Sequence, residues 1–341
     1  MSTVHIGGIP VGDGHPCFIV AEIGINHNGS LAYALKLVEL AAAAGCNAVK
    51  FQKRKVEIVY TREELEVPRT VDWSFIQHAI ERTVIEGITY SVLPESSLAR
   101  LMLDRTKTTN GDLKRALEFD LKEFDLIDIR CRELGIAWFA SSWDGLSAHF
   151  MNGFNGPCHK IASACLTHRD LLKRVRSNGK PVILSTGGST LEQVMRAVDV
   201  LGRDDLVILH CNATYPCLDQ DVNLAVSGTL RETFPGVPVG YSSHSPEIGS
   251  ALTAVAAHGA SFVEVHVTLD RSMPGSDQGS SLEPHELTKL VQGIRSIERG
   301  ELTLDRLVPR ERQTIYHGSP EKRVYEMEIP IMKKLRLVTD Y

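Results

Sequence analysis

The sequence predicts an α/β protein of the (β/α)8 TIM-barrel class, with a long insertion after strand 2 and a short C-terminal extension. Three observations predict it. A short apolar run, a polar turn, an amphipathic stretch of about 12–15 residues and a glycine recur about eight times along the chain. Strands that alternate with helices demand parallel pairing, and right-handed crossovers over eight units close naturally into a barrel. The 341 residues also suffice for one large barrel with additions. An open doubly wound sheet is the structural alternative.

The candidate strands, in order, are CFIVAEI (17–23), NAVKFQ (47–52), IAWFASS (136–142), HKIAS (159–163), PVILST (181–186), LVILHC (206–211), VPVGYS (237–242) and SFVEVHVT (261–268). The helices between them carry end signals. Ser30 precedes LAYALKLVELAAAA and Gly45 ends it; Ser189 with Glu192 spells a capping box before EQVMRAVDVL, which Gly202 closes. Gly135, Gly179 and Gly259 are read as closing others.

Two stretches break the rhythm. Residues 53–115 are long and charged and precede a helix expected at 116–134, so they read as a βα insertion at the active-site face, a lid or mobile loop. Residues 1–300 are assigned to the barrel and 301–341 to an extension, in which VYEMEIPIMKKLRLV suggests a strand or a clasp.

Composition narrows the partner. Net charge is −5 and pI about 6.2, with both signs mixed along the chain, so the sequence shows no basic cluster of the kind nucleic acid or anionic lipid selects and a small molecule is expected. The N-terminus lacks the basic start and apolar core of a secretory signal, and no run approaches a membrane span. Seven singly scattered cysteines without zinc-ligand spacing suit free thiols in a reducing cytoplasm.

In a barrel enzyme, chemistry gathers at the C-terminal ends of the strands. Those ends carry Glu22; Lys50 and Gln52; Ser141 and Ser142; Lys160 and Ser163; Ser185 and Thr186; His210 and Asn212; Ser242 and His244; and Glu264, His266 and Thr268. Side chains alternate faces along a strand, so Lys50 shares a face with Gln52, Ser242 with His244, and Glu264 with His266. A strand histidine is by itself usually a hydrogen-bonded core residue, whereas an unpaired buried lysine costs several kcal/mol. Lys50 and Lys160 with Ser163 and Ser185 suit a doubly charged anion. STGGST at 185–190 offers backbone N–H groups at a helix start, although such loops also occur merely to turn. His244 and His266 can approach one divalent metal from neighbouring strands.

AEIGINHNGS (21–30), AVKFQ (48–52), KIAS (160–163), ILSTGGST (183–190), LHCNATYP (209–216), GYSSHS (240–245) and HVTLDRSMPGSDQGSSLEP (266–284) together resemble the sialic acid synthase (NeuB) family, over roughly residues 15–300. The resemblance implies a TIM barrel that condenses phosphoenolpyruvate with N-acetylmannosamine or a related sugar aldehyde. It implies a divalent metal, Mn2+ first and Mg2+ or Co2+ as alternatives, on His244 and His266. Lys50, Ser142, Lys160, Ser163, Ser185 and Ser242, with Asn212, are implied phosphoenolpyruvate contacts. Gln52, Tyr215 and Asp277 are implied sugar contacts, and Glu22, Lys50, Lys160 and Asp277 are the expected catalytic set. A cytoplasmic homodimer is implied as well.

Departures from the family pattern fall mostly on the sugar side, although Ala213 stands where a small polar residue often meets phosphoenolpyruvate. Cys165, Ala213, Ser243 and Gln278 replace other family residues, and the residues after Gly300 do not resemble the family's small antifreeze-like (SAF) domain, so none is expected here. The same condensation on a different acceptor is therefore expected. The alternatives are a related phosphoenolpyruvate–aldose synthase with a different, even phosphorylated, acceptor, or a non-catalytic barrel that binds a sugar or partner.

Overall fold

The structure is a computed structural model and describes residues 3–81 and 93–335. It opens with an antiparallel hairpin, β1 (Val4–Ile6) and β2 (Ile9–Val11). Eight strands follow: β3 (Phe18–Gly24), β4 (Ala48–Lys53), β5 (Ala137–Ser142), β6 (His159–Ile161), β7 (Val182–Ser185), β8 (Leu206–Cys211), β9 (Val239–Ser243) and β10 (Phe262–His266). All neighbouring pairs are parallel, and β10 pairs with β3 to close the barrel. The closed barrel, not the open sheet, is therefore the architecture. Each of the eight apolar runs read from the sequence overlaps one of its strands, to within a residue or two at the ends.

Alternation sorts the side chains. Val263 and Val265 of β10 face outward into the apolar layer with Leu287 and Leu290 of the helix Pro284–Glu298. Phe262 faces inward with Phe18, ring centroids 5.3 Å apart. Val4, Ile6 and Val11 of the hairpin pack on this lower layer, so the hairpin shuts the N-terminal end of the barrel. The sequence reading did not include it: three-residue strands are too short to show a period.

The helix Leu31–Ala44 starts at Ser30, whose hydroxyl accepts the Tyr33 N–H, and ends at Gly45 in the left-handed region, φ 88°. The capping box of the helix Leu191–Leu201 lies one residue later than expected. Thr190 and Gln193 exchange bonds of 3.0 and 3.2 Å, while Ser189 is drawn into the preceding loop, its hydroxyl on the Gly187 carbonyl. Both pairs fit the capping spacing, and the loop at 187–189 takes the earlier serine. Gly179 and Gly259 lie two residues beyond the caps Ser177 and Ala257 rather than forming them.

The insertion is helical, not an open loop. It contains the helices Val56–Val59, Arg62–Glu66, Trp73–Glu81, Glu95–Leu103 and Asn110–Ala116; residues 82–92 lie outside the described residues. Thr61 and Thr109 cap two of them, and Ile76, Leu93, Leu101 and Ala116 form a small core of its own. The helix expected at 116–134 begins at Leu121, because Asp120 and Glu123 build its capping box there. At the C-terminus a 3-10 turn (Glu326–Glu328) runs into the helix Ile329–Leu335, so the segment is a helical clasp and not a strand. Backbone bonds tie its approach to the barrel, from Leu224 to Tyr316 and from Leu191 to Lys322.

Candidate active site

At the C-terminal mouth lies a cavity of about 60 Å³. Of the residues singled out from the sequence, Glu22, Lys50, Gln52, Lys160, Ser163, Ser185, Tyr215, Ser242, His244 and His266 line it. Ser142, Asn212 and Asp277 are not among its lining residues. Ser141, one place earlier than Ser142, is, and its hydroxyl accepts from Lys50 Nζ at 2.9 Å. Strand alternation sends Ser142 to the other face. The Asn212 side chain is spent on its own loop, accepting from Thr214 and donating to the Asp221 carbonyl, while its backbone carbonyl takes the His244 Nδ1 hydrogen.

The centre is a balanced set of four buried charges. Lys50 Nζ sits 2.8 Å from Glu22 Oε2, an ionic contact without hydrogen-bond alignment, and 3.5 Å from Glu264 Oε1. Lys160 Nζ donates to Glu264 Oε1 at 3.1 Å, and the Ser242 hydroxyl reaches the same oxygen at 3.2 Å. Gln52 Nε2 donates to Glu22 Oε1 at 3.1 Å. Gly24 has a positive φ of 54°, which a side chain there would strain, and a Cβ would lie 3.0 Å from Glu22 Oε1 and crowd the carboxylate.

Burial pushes Glu22 up to about 7 against the pull of Lys50. Burial acts on Glu264 in the same sense, yet Lys160 and then Lys50 overcome it and hold the carboxyl down to about 2. Two carboxylates in one pocket thus have separated protonation states, as acid–base sites require.

Beside this cluster stand the imidazoles, with His244 and His266 ring centroids 5.1 Å apart. Burial lowers His244 to about 4; burial and then His244 lower His266 to about 3, so both are neutral near pH 7. The hydrogen on His244 Nδ1 goes to the Asn212 carbonyl at 2.5 Å, which turns the Nε2 lone pair to the cavity, where it accepts from the Tyr215 hydroxyl at 2.8 Å. Asp277 Oδ2 lies 3.8 Å from His266 Nδ1, a buried atom with no hydrogen-bond partner. Ser185 Oγ and Glu264 Oε2 are likewise buried without one. Orphaned polar atoms gathered at one mouth are what a polar ligand would satisfy. Among the described residues no group of three or more His, Cys, Asp or Glu side chains converges as a metal site.

Sequence reasoning missed Arg54 and the clasp residues, and gave Glu264 too small a part. It gave Glu264 only as a partner of His266, whereas it balances both lysines; the requirement that two buried cations find anions was the available signal. Arg54 donates to Gln52 Oε1 at 3.0 Å and to Glu118 at 2.6 Å, tying the insertion to the site. Ile331, Met332 and Leu335 of the clasp form the outer wall; nothing local in the sequence marks them.

A parallel barrel whose strand ends hold paired lysines, a carboxylate of raised pKa and two neutral imidazoles carries its polar groups at the C-terminal mouth, where barrel enzymes place their active sites. The profile of the NeuB family matches residues 93–302. Human N-acetylneuraminate-9-phosphate synthase is 33% identical over 328 residues, covering 95% of this chain and 78% of that protein. The N,N'-diacetyllegionaminic acid synthase of Legionella pneumophila is 34% identical, over 98% of this chain and 83% of its own. The crystal structure of an N-acetylneuraminic acid synthetase from Leptospira borgpetersenii, in complex with citrate, superposes with TM-score 0.69 at 29% identity over 99% of this chain and 98% of that one. The chain belongs to the NeuB family.

Proposed function

We propose that this protein condenses phosphoenolpyruvate with a sugar aldehyde of the N-acetylmannosamine type to give a 2-keto-3-deoxy sugar acid and phosphate, a C–C bond-forming transfer. The observation that carries it is the cross-braced set Lys50, Lys160, Glu22 and Glu264 at the mouth, two cations held ready for a polyanion, in a chain whose relatives are named as synthases of such acids. C3 of phosphoenolpyruvate forms the new bond to the aldehyde carbon, water adds to C2, and phosphate leaves with C–O cleavage.

Lys50 and Lys160 bind and orient the phosphate and carboxylate, with Ser141, Ser163, Ser185 and Ser242 as hydroxyl contacts; Ser142 and Asn212 support the strand ends behind them. Glu22, with its raised pKa, exchanges a proton near neutral pH, and Asp277 stands beside His266 for the aldehyde end. Gln52 and Tyr215 contact the sugar. His244 and His266 fit a divalent ion: both are neutral, their rings are close, and His266 Nδ1 lacks a partner. Such an ion, which we assign as Mn2+ with Mg2+ or Co2+ as substitutes, supplies Lewis-acid polarisation of the aldehyde oxygen.

We assign residues 1–300 to the catalytic barrel with the 53–115 insertion, and 301–341 to an extension. The protein is placed in the cytoplasm, a reading supported by seven buried free cysteines and by the fact that no described helix is long and apolar enough to cross a membrane. Acceptor-dependent phosphate release from phosphoenolpyruvate, assayed with added divalent metal across aldoses and N-acetylamino sugars, tests the function; no release with any acceptor overturns it.

A further inference from the structure

One buried charge at the mouth has no part in the chemistry above. Glu328, in the C-terminal clasp, has 0% of its surface exposed. Its Oε1 accepts the N–H of Gly188 at 2.8 Å and that of Ala213 at 2.7 Å, and its Oε2 accepts from Tyr325 N–H at 2.9 Å. Gly188 belongs to the STGGST loop between β7 and the helix Leu191–Leu201, and Ala213 follows the end of β8. Two backbone donors from neighbouring strand ends thus converge on one oxygen, the arrangement by which proteins hold phosphate and carboxylate groups.

The rest of the clasp presses on the same loop. Met332 packs so closely over Gly188 that a Cβ there would collide with its side chain. With Ile331, Met332 and Leu335 in place the cavity measures about 60 Å³. Sites for small molecules run to roughly 300–1,000 Å³. Room for a few waters is not room for two substrates.

We propose that residues 325–335 are an intramolecular competitor for the substrate anion: the Glu328 carboxylate holds the Gly188 and Ala213 N–H pair that an incoming oxyanion takes, and the clasp withdraws when substrate enters. The identity of that oxyanion as phosphoenolpyruvate rests on the function proposed above; the occupied donor pair does not. Affinity is lowered by the fraction of molecules in which the tethered carboxylate has left.

The experiment titrates inorganic phosphate and phosphoenolpyruvate separately, by calorimetry, into the full-length chain and its Glu328→Gln and Glu328→Ala variants. Both ligands are expected to bind at least about tenfold tighter to Glu328→Ala, with Glu328→Gln between it and the parent. Affinities unchanged or weaker in both variants overturn the proposal. If the variants fail to fold, hydrogen exchange on the parent decides: amides of 325–335 should lose protection when phosphoenolpyruvate or phosphate saturates the protein, and unchanged or increased protection overturns it. Tighter phosphate binding by the variants, with phosphoenolpyruvate bound by none of the three proteins, supports the competitor while removing the phosphoenolpyruvate reading.

Discussion

Lys160 and Glu264 meet across the barrel. Their strands, β6 and β10, are four positions apart in a ring of eight, and Lys160 Nζ donates to Glu264 Oε1 at 3.1 Å through the lumen. Lys50, on a third strand, shares the same oxygen at 3.5 Å. The pair therefore does two things: it balances charge in the buried mouth and it fixes where both ammonium groups point.

Removing Glu264 should leave two buried lysines with one carboxylate. Glu264→Ala is expected to lose about 3–5 kcal/mol of stability by denaturant unfolding at pH 7. Phosphate should raise the melting temperature of the variant more than that of the parent, because the uncompensated lysines then seek an anion. A loss below about 1 kcal/mol would show that water or another group already balances the site.

Arg54 is expected to act on the site through Gln52. Its guanidinium fixes the Gln52 amide oxygen at 3.0 Å, which leaves the amide nitrogen for Glu22. Arg54→Met should reduce kcat/KM for the acceptor by about ten- to a hundredfold, with a smaller change in KM for phosphoenolpyruvate. Equal losses for both substrates would mean that the insertion as a whole had shifted.

The imidazole pair makes a prediction about metal. His266→Ala should reduce bound Mn2+ after equilibrium dialysis to below half the parent stoichiometry, and His244→Ala should do the same, with the fold retained by circular dichroism. A variant that keeps full metal content would remove that histidine from the ligand set.

Acid stability is expected to depend on a histidine away from the mouth. Burial, and next Lys322, lowers His210 to about 3, and its Nε2 hydrogen goes to the Val222 carbonyl at 2.7 Å. Its folded pKa lies below the ordinary value of about 6.5, so the unfolded chain binds more protons and stability, fully present above that value, falls as pH drops towards 3. By pH 5 the loss from this residue should be about 2 kcal/mol. In His210→Gln, which keeps a donor for Val222, the difference in unfolding free energy between pH 7 and pH 5 should shrink by that amount; an unchanged difference would assign the acid sensitivity elsewhere.

Much of this protein was legible before its structure. Strands of a parallel barrel are buried on both faces, so each reads as a short apolar run, and polar residues at their ends stand out against it. Hence Lys50, Lys160, His244 and His266 could be named from SFVEVHVT and its counterparts. That Ser141 rather than Ser142 lines the cavity is set by strand alternation, which decides which side chain faces the lumen. The insertion looked like a loop because its helices are short and charged, and only Thr61, Thr109 and a small private core make them helices.

By itself, then, the sequence determined the barrel, the order of its strands and the set of chemical groups at its mouth, because hydrophobic period and strand-end polarity are local properties. The tertiary structure alone decided which charges meet. Lys160 and Glu264 are 104 residues apart, and Gly188 and Glu328 are 140 apart. Such pairings are set by barrel closure and by the path of the C-terminal clasp, neither of which leaves a mark in any short window of sequence.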